Sequence, residues 1–475
     1  LPKPSISREQ KLLHGNILRG VWYLAWPIVI QSLLHVFMGM ADLRMVSGLG
    51  HEAIAAVGIG RQVIMIILVM ILAVSAGATA VVARKLGERN TEEAESAAGQ
   101  AMMLVILFAM VMTPLGILSS RTLLLILGAE PEVLALGLPY MQIFFTGIVF
   151  FLGNFMCKAI FQGAGDTKTP LYINTIVNIV NLLGNFLLIY GVWIFPELGV
   201  RGAAIASVIS RFVGTSLGVM ALNSNRYAIK LTFKSVFRLS IPEMKEMLRI
   251  GTPTAFQGVS RNISTLLLVS MITRTAAGGF AAAAFPIGMK VNQFAIMPGL
   301  AIGQATTTLV GMNLGASNPD RAEKSGWTAS KVGSIVMATI AGISFIFAPQ
   351  IMSFFTQEPE VITIGATFIR VVALAEPFHA VGLILSKSMQ GAGYTLMPFY
   401  LTVFSWLIVR VPLAYILAFL VGLESNGIWI SINLTFILQA ILVAITFKRG
   451  NWKKTKLKTY ESKNIRTDSK PSQSG

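Results

Sequence analysis

Twelve stretches of roughly twenty or more predominantly apolar residues follow one another along the chain, at about 21–46, 53–80, 97–119, 133–161, 170–194, 200–222, 247–272, 281–310, 325–348, 361–389, 398–421 and 427–447. A helix of that length crosses the roughly 30 Å hydrocarbon layer of a bilayer. The expected fold is therefore an all-α integral membrane protein with twelve transmembrane helices. Composition agrees: 54% of the residues are apolar and 12% charged, with a mean hydropathy of +0.69, whereas soluble domains carry about 25% charge. The 475 residues would make about three ordinary domains, but too few polar side chains exist to cover three aqueous surfaces. The first span follows Lys3, Arg8, Lys11 and Arg19 in the manner of a signal peptide. It runs too long for one and is read as a helix.

Loop charges predict orientation. Segments 1–20, 81–96, 162–169, 223–249, 311–324, 387–397 and 448–475 hold 26 Lys/Arg, while the alternate loops hold Arg121, Arg201 and Arg274 only. Lys and Arg concentrate on the cytoplasmic side, so both termini are expected there, in a cell membrane. The segment from 448 onward contributes +7 of the net +17, which suits an anionic leaflet or a merely solvated tail better than nucleic acid.

A repeat organises the whole. At a constant offset of 228, Ala55-Ala56 returns as Ala283-Ala284, Ile59-Gly60 as Ile287-Gly288, and Leu86-Gly87 with Asn90 as Leu314-Gly315 with Asn318. The register continues through Glu130-Pro131-Glu132-Val133 and Gln162-Gly163-Ala164-Gly165, which recur at 358–361 and 390–393. Two pseudo-symmetric six-helix bundles follow, at 21–222 and 247–447, with an N-terminal segment (1–20), a linker (223–246) and a basic tail (448–475). Each half has an even number of spans and enters from the same side. A V-shaped cleft between such bundles, opened alternately to either side, is a transporter's architecture.

Other chemistries lack their parts. No phosphate-binding glycine motif occurs, so a transporter here must draw on an ion gradient and needs no cofactor. One cysteine, Cys157, and four scattered histidines make no zinc site. A membrane enzyme would need a cluster of catalytic groups, and two intramembrane acids far apart do not supply it.

Pro27, Ala41-Asp42, Val46-Ser47-Gly48-Leu49-Gly50, Ala55-Ala56-Val57-Gly58 and the twice-used Gln-Gly-Ala-Gly turn, in this order, resemble the multidrug and toxic compound extrusion (MATE) family over residues 15 to 447. The resemblance implies antiport of amphipathic, often aromatic, organic cations against H⁺ or Na⁺. It also implies an ion site at the helix 1 acid, Asp42, with Asn181 and Asn185 on helix 5 and Ser207 on helix 6. Where archaeal relatives have Asn-x-x-x-Asp, this chain has an amide at 185, which removes one negative charge. The favoured coupling ion is H⁺, with Na⁺ at Asp42, Asn181 and Asn185 the alternative.

The residues support that reading independently. Only Asp42 and Glu376 among 21 acids lie within long apolar spans, and a charge there costs several kcal/mol. Asn174, Asn178, Asn181 and Asn185 share one helix face, where they could equally lock helices together. Glu376 and His379, three apart, are either a second proton or substrate site or a self-satisfied pair. Lys158 and Lys290 are candidate partners of Asp42 or Glu376, among six basic residues in spans that also include Arg61, Arg211, Arg261 and Arg410. His35, two turns before Asp42, is a relay or a packing histidine. The rival function is a flippase or exporter of a lipid-linked sugar or another amphipathic anion, which the buried cations favour. A monomer is expected.

Overall fold

The computed structural model describes residues 10, 12–224 and 229–455. Most of the N-terminal segment and of the basic tail, and part of the linker, lie outside the described residues. Twelve helical spans run in order: α1 (Ile17–Ser47), α2 (His51–Gly87), α3 (Thr91–Ile126), α4 (Pro131–Thr146 with Ile148–Gly163), α5 (Lys168–Tyr190), α6 (Gly199–Asn223), α7 (Ile241–Ile272), α8 (Gly278–Gly315), α9 (Pro319–Ile346), α10 (Pro359–Ala373 with Glu376–Gly391), α11 (Leu396–Leu420) and α12 (Glu424–Arg449). Nine are singly long and apolar enough to cross a bilayer, and α4 and α10 each qualify as a bent pair. The remaining span, α7, is more polar, with Ser, Thr, Gln, Asn and Arg261 along its length.

Repeated sequence becomes repeated geometry. Asn90 and Asn318 each cap the helix that follows, accepting from Glu93 N and Arg321 N. The last glycines of the two Gln-Gly-Ala-Gly turns, Gly165 and Gly393, adopt φ of +73° and +79°, a region glycine enters without steric cost. Both bends recur at the same offset, 52° at Gly147 in α4 and 54° around Ala375 in α10. Thr79 donates to Ala159 O at 3.0 Å and its repeat mate Thr307 to Lys387 O at 2.9 Å.

The halves meet along a glycine seam at the end that carries both described termini. A Cβ on Gly87 would lie 2.1 Å from Met312 O, and one on Gly315 would lie 2.1 Å from Arg84 O. Both residues and both carbonyls are pairs at the offset of 228, so the pseudo-twofold axis passes through this contact. Gly77 against Met247 O and Gly251 against Ala73 O, each 2.1 Å from the added Cβ, join α2 to α7 in the same way. Backbones approach this closely only where side chains are absent, the usual means of tight helix association in lipid. Phe37, Met40 and Phe294 are exposed.

Both strands of chain leaving the bundle are tied to this closed end. In the linker, Phe233–Phe237 packs on α3, where Gln100 Nε2 donates to Ser235 O at 3.2 Å and Gln100 Oε1 accepts from Ser240 N at 2.8 Å. After α12, Trp452 is fully buried and stacks on Phe447 at 4.6 Å, while Lys453 pairs with Asp320 and Glu323.

Candidate coupling and substrate chambers

In the N-terminal bundle, α5 and α6 lie close because glycine faces backbone: a Cβ on Gly202 would stand 2.3 Å from Leu188 O. That approach sets the asparagine stripe of α5 against α6 and α1. Asn185 Nδ2 donates to Asp42 Oδ1 at 2.7 Å, and Asn181 Nδ2 to Ser207 Oγ at 3.4 Å. Asn181 and Asn185 are buried and Asp42 is half-buried. Asn174 instead bonds its own helix, at Pro170 O. The four groups expected around the ion are thus neighbours.

The cations nearest Asp42 differ from those expected. Arg61 and Arg211 lie within its electrostatic reach, together with the Tyr140 hydroxyl. Neither Lys158 nor Lys290 forms an ion pair with Asp42 or Glu376 among the described residues. Lys290 is exposed, and half-buried Lys158 belongs to the surroundings of His35. Gly39 makes room for Arg61, whose Nη2 lies 3.2 Å from where a Cβ would be, one turn before Asp42. Arg211 is held by Asn154 Oδ1 at 3.4 Å and by the Phe151 ring at 4.8 Å. His35 is exposed and lies near Arg61, Arg211 and Lys158.

A hard cation takes oxygen ligands. Here Asn185 presents its amide nitrogen to the carboxylate, while its own Oδ1 is buried without a hydrogen-bond partner. Asn181 likewise spends its nitrogen on Ser207. An oxygen of the kind such a cation takes is therefore still free beside Asp42. Among the described residues no three His, Cys, Asp or Glu side chains converge as a metal site.

The C-terminal bundle holds a different chamber. Glu376 is not midway along an unbroken helix: α10 breaks just before it, and Glu376 with Pro377 begins the second segment. Its side chain is 1% exposed, accepts from Asn292 Nδ2 at 2.6 Å, and lies 3.6 Å from His379 Nδ1. Glu376 Oε2 has no partner and borders a cavity of about 20 Å³ with Asn292 and Phe368, room for about one water. His379 stacks on Phe436 at 4.0 Å. Next to it Arg410, 2% exposed, sits over the Trp406 ring at 3.7 Å and donates through Nε to Thr435 Oγ1 at 2.8 Å. The backbone is π-helical on either side of Arg410, at Phe404–Val409 and Ile416–Leu420. Such turns are rare and recur at functional sites; here Ser264 Oγ donates to Trp406 O at 2.6 Å.

Tyr140, Asn154, Asn292 and Trp406 were not singled out by sequence reasoning. A signal existed for the first: Tyr140 packs against Gly60 as its repeat mate Phe368 packs against Gly288, so only the hydroxyl distinguishes the two halves there.

The sequence model of the MatE family matches residues 27–187 and again 253–416, one match in each half. The chain belongs to the MATE family. Among relatives, it is 29% identical over 442 residues to a probable multidrug resistance protein NorM of Thermotoga maritima, covering 92% of this chain and 94% of that one. Two solved structures superpose with a TM-score of 0.85 at 25% identity, covering 94% of this chain and 98% of each. One is an outward-facing multidrug resistance MATE transporter, and the other a transporter of Pyrococcus furiosus described by the reverse polarity of its binding pocket. Membership makes this a multi-pass membrane transporter with the twelve-helix MATE fold.

Proposed function

We propose that the protein exports amphipathic organic molecules, organic cations as the class its family implies, in exchange for protons, by alternating access of the cleft between its bundles. The observation that carries this reading is Asp42: a carboxylate in the N-terminal chamber, tied to α5 by Asn185 and faced by Arg61 and Arg211. While ionised it draws α1 toward α5 and the two guanidiniums. A proton cancels that attraction and weakens the Asn185 bond, since bonds to charged groups are about twice as strong as neutral ones. Pro27, a residue at which a helix bends readily, lies on the same helix, and the bond from Gln31 Nε2 to Thr167 O at 3.2 Å would have to yield if the arm carrying Asp42 swings about it. Protonation therefore biases the conformational equilibrium by as much as proton affinity differs between its two states.

The orientation supported by loop charge puts the glycine seam and both termini on the cytoplasmic side of a cell membrane. Trp22, Tyr23 and Trp26, with Arg19 beside them, form an aromatic foot on α1 at that end, and Lys168 stands over Tyr23 at 5.0 Å. Aromatic and basic residues collect at such interfaces.

A second reading, export of an amphipathic anion or flipping of a lipid-linked sugar, is favoured by Arg261, Lys387 and Arg410, three basic side chains of the C-terminal bundle that form no ion pair among the described residues. The test of the main reading is dye efflux from proteoliposomes under separately imposed pH and Na⁺ gradients. Efflux should follow the pH gradient and be abolished by Asp42→Asn; undiminished transport by that variant would remove Asp42 from the mechanism.

A further inference from the structure

Arg410 and Arg261 share one platform. Their guanidinium carbons lie 3.7 Å and 5.7 Å from the centre of the same Trp406 ring. Arg261 is also within electrostatic reach of both Arg410 and Lys387. Arg410 comes from α11, Arg261 from α7 and Lys387 from the second segment of α10, so the fold itself assembles the group.

Its surroundings leave the charge unanswered. None of the three forms an ion pair among the described residues. Arg410 Nη2 and Arg261 Nε are buried atoms with no hydrogen-bond partner. The neutral contacts are Thr435 Oγ1 to Arg410 Nε and Gln390 Oε1 to Lys387 Nζ, at 2.8 and 2.9 Å. The ring faces beneath Arg410 attract a cation but accept no N–H bond from Nη2. Like charges brought together out of water are costly unless an opposite charge joins them. The nearest acid among the described residues, Glu376, forms no ion pair with any of the three; its Oε1 accepts from Asn292 and lies 3.6 Å from His379 Nδ1.

We propose that Arg261, Arg410 and Lys387 form a seat for the anionic group, carboxylate or phosphate, of an organic ligand. Guanidinium is the side chain suited to such oxyanions, through paired N–H bonds. Arg261 is half-buried where Arg410 is 2% exposed, so Arg261 forms the accessible rim and Arg410 the floor. The chamber of Asp42 and this one then divide the work: one carries the exchanged proton, the other the ligand's negative charge. This rests on the second substrate reading above, and it deepens it by naming the residues.

The test uses the full chain in detergent at constant ionic strength, with benzoate, neutral benzamide, benzylammonium and inorganic phosphate as probes and thermal midpoint and tryptophan emission as readouts. Benzoate should raise the midpoint saturably and change the emission, while benzamide and benzylammonium do neither. Arg261→Gln should weaken benzoate binding about tenfold to 150-fold, the worth of one charge-assisted hydrogen bond of about 1.5–3 kcal/mol, and Arg261→Lys should restore part of it. Lys387→Gln provides a second variant at a half-buried position if Arg261→Gln does not fold. Phosphate binding as well as benzoate, with the same sensitivity to Arg261, would support the seat and assign it to an inorganic anion. No saturable benzoate effect, or one indifferent to both substitutions, would overturn the proposal. Proton-driven dye efflux and its loss in Asp42→Asn do not depend on that outcome, so the two readings fail separately.

Discussion

Gly87→Ala tests whether the glycine seam holds the terminal end of the cleft shut. The added Cβ would lie 2.1 Å from Met312 O, 2.8 Å from Met312 C and 2.9 Å from its Cα. All three atoms are backbone, so no rotamer change relieves the overlap. A carbon needs about 3.3 Å from a carbonyl oxygen, which means α2 and α8 must part by roughly 1 Å. Overpacking of this kind costs about 1–3 kcal/mol, and only the conformer with a closed seam bears it. A bias of that size shifts a two-state equilibrium by about 5- to 150-fold. Thr308 reports the opening: it is 1% exposed and donates to Gln162 O across the bundles at 2.9 Å. With the sole cysteine replaced (Cys157→Ala), a thiol introduced by Thr308→Cys should react with maleimide at least about fivefold faster when Gly87→Ala is added. Gly315→Ala should act equally, since the axis relates Gly87 to Gly315 and Met312 to Arg84. Gly58→Ala, with nothing within 4 Å of its added Cβ, should leave the rate alone. Equal labelling with and without Gly87→Ala in folded protein would refute the reasoning.

Two other consequences are open to measurement. Ser264→Ala should cost about 1–3 kcal/mol, because the buried bond from Ser264 Oγ to Trp406 O is lost; a midpoint unchanged by the substitution would mean that Trp406 O is satisfied otherwise. Glu323 and Asp320 hold the Lys453 ammonium above its ordinary value, Glu323 chiefly by its hydrogen bond. A raised lysine stabilises the docked tail fully below its unfolded value of about 10.4 and loses that contribution as pH rises through the folded value. Trp452 burial, followed by fluorescence, should therefore be flat across neutral pH and fall only in strong alkali in the parent, and Lys453→Gln should remove that alkaline step; a step near neutrality would contradict the pairing.

Much of the scaffold is legible in the sequence because its signals are local or periodic. Span lengths follow from runs of apolar residues, and the offset of 228 fixes which elements must look alike. Asn90 and Asn318 as caps and the positive φ of Gly165 and Gly393 follow from single residue types in short turns. The asparagine spacing on α5 predicts a shared face, since helical periodicity alone decides which residues share a side, and Asn181 and Asn185 are both buried.

Which groups meet across helices was a matter for the tertiary structure. Arg61 rather than a lysine faces Asp42 because Gly39 leaves space on α1 for its guanidinium, and nothing in the spacing of residues 39, 42 and 61 reveals that. The break in α10 turns Glu376 from a mid-helix acid into the start of a new segment. Arg261, Arg410 and Lys387 come together although more than a hundred residues separate the first from the others. Apolar pattern and repeat register are properties of neighbouring residues and survive duplication in both halves. A chamber's charge depends on which side chains from distant helices face the same space, and there the two halves have parted: Asp42 and Arg61 have only Ser270 and Met289 at the offset of 228.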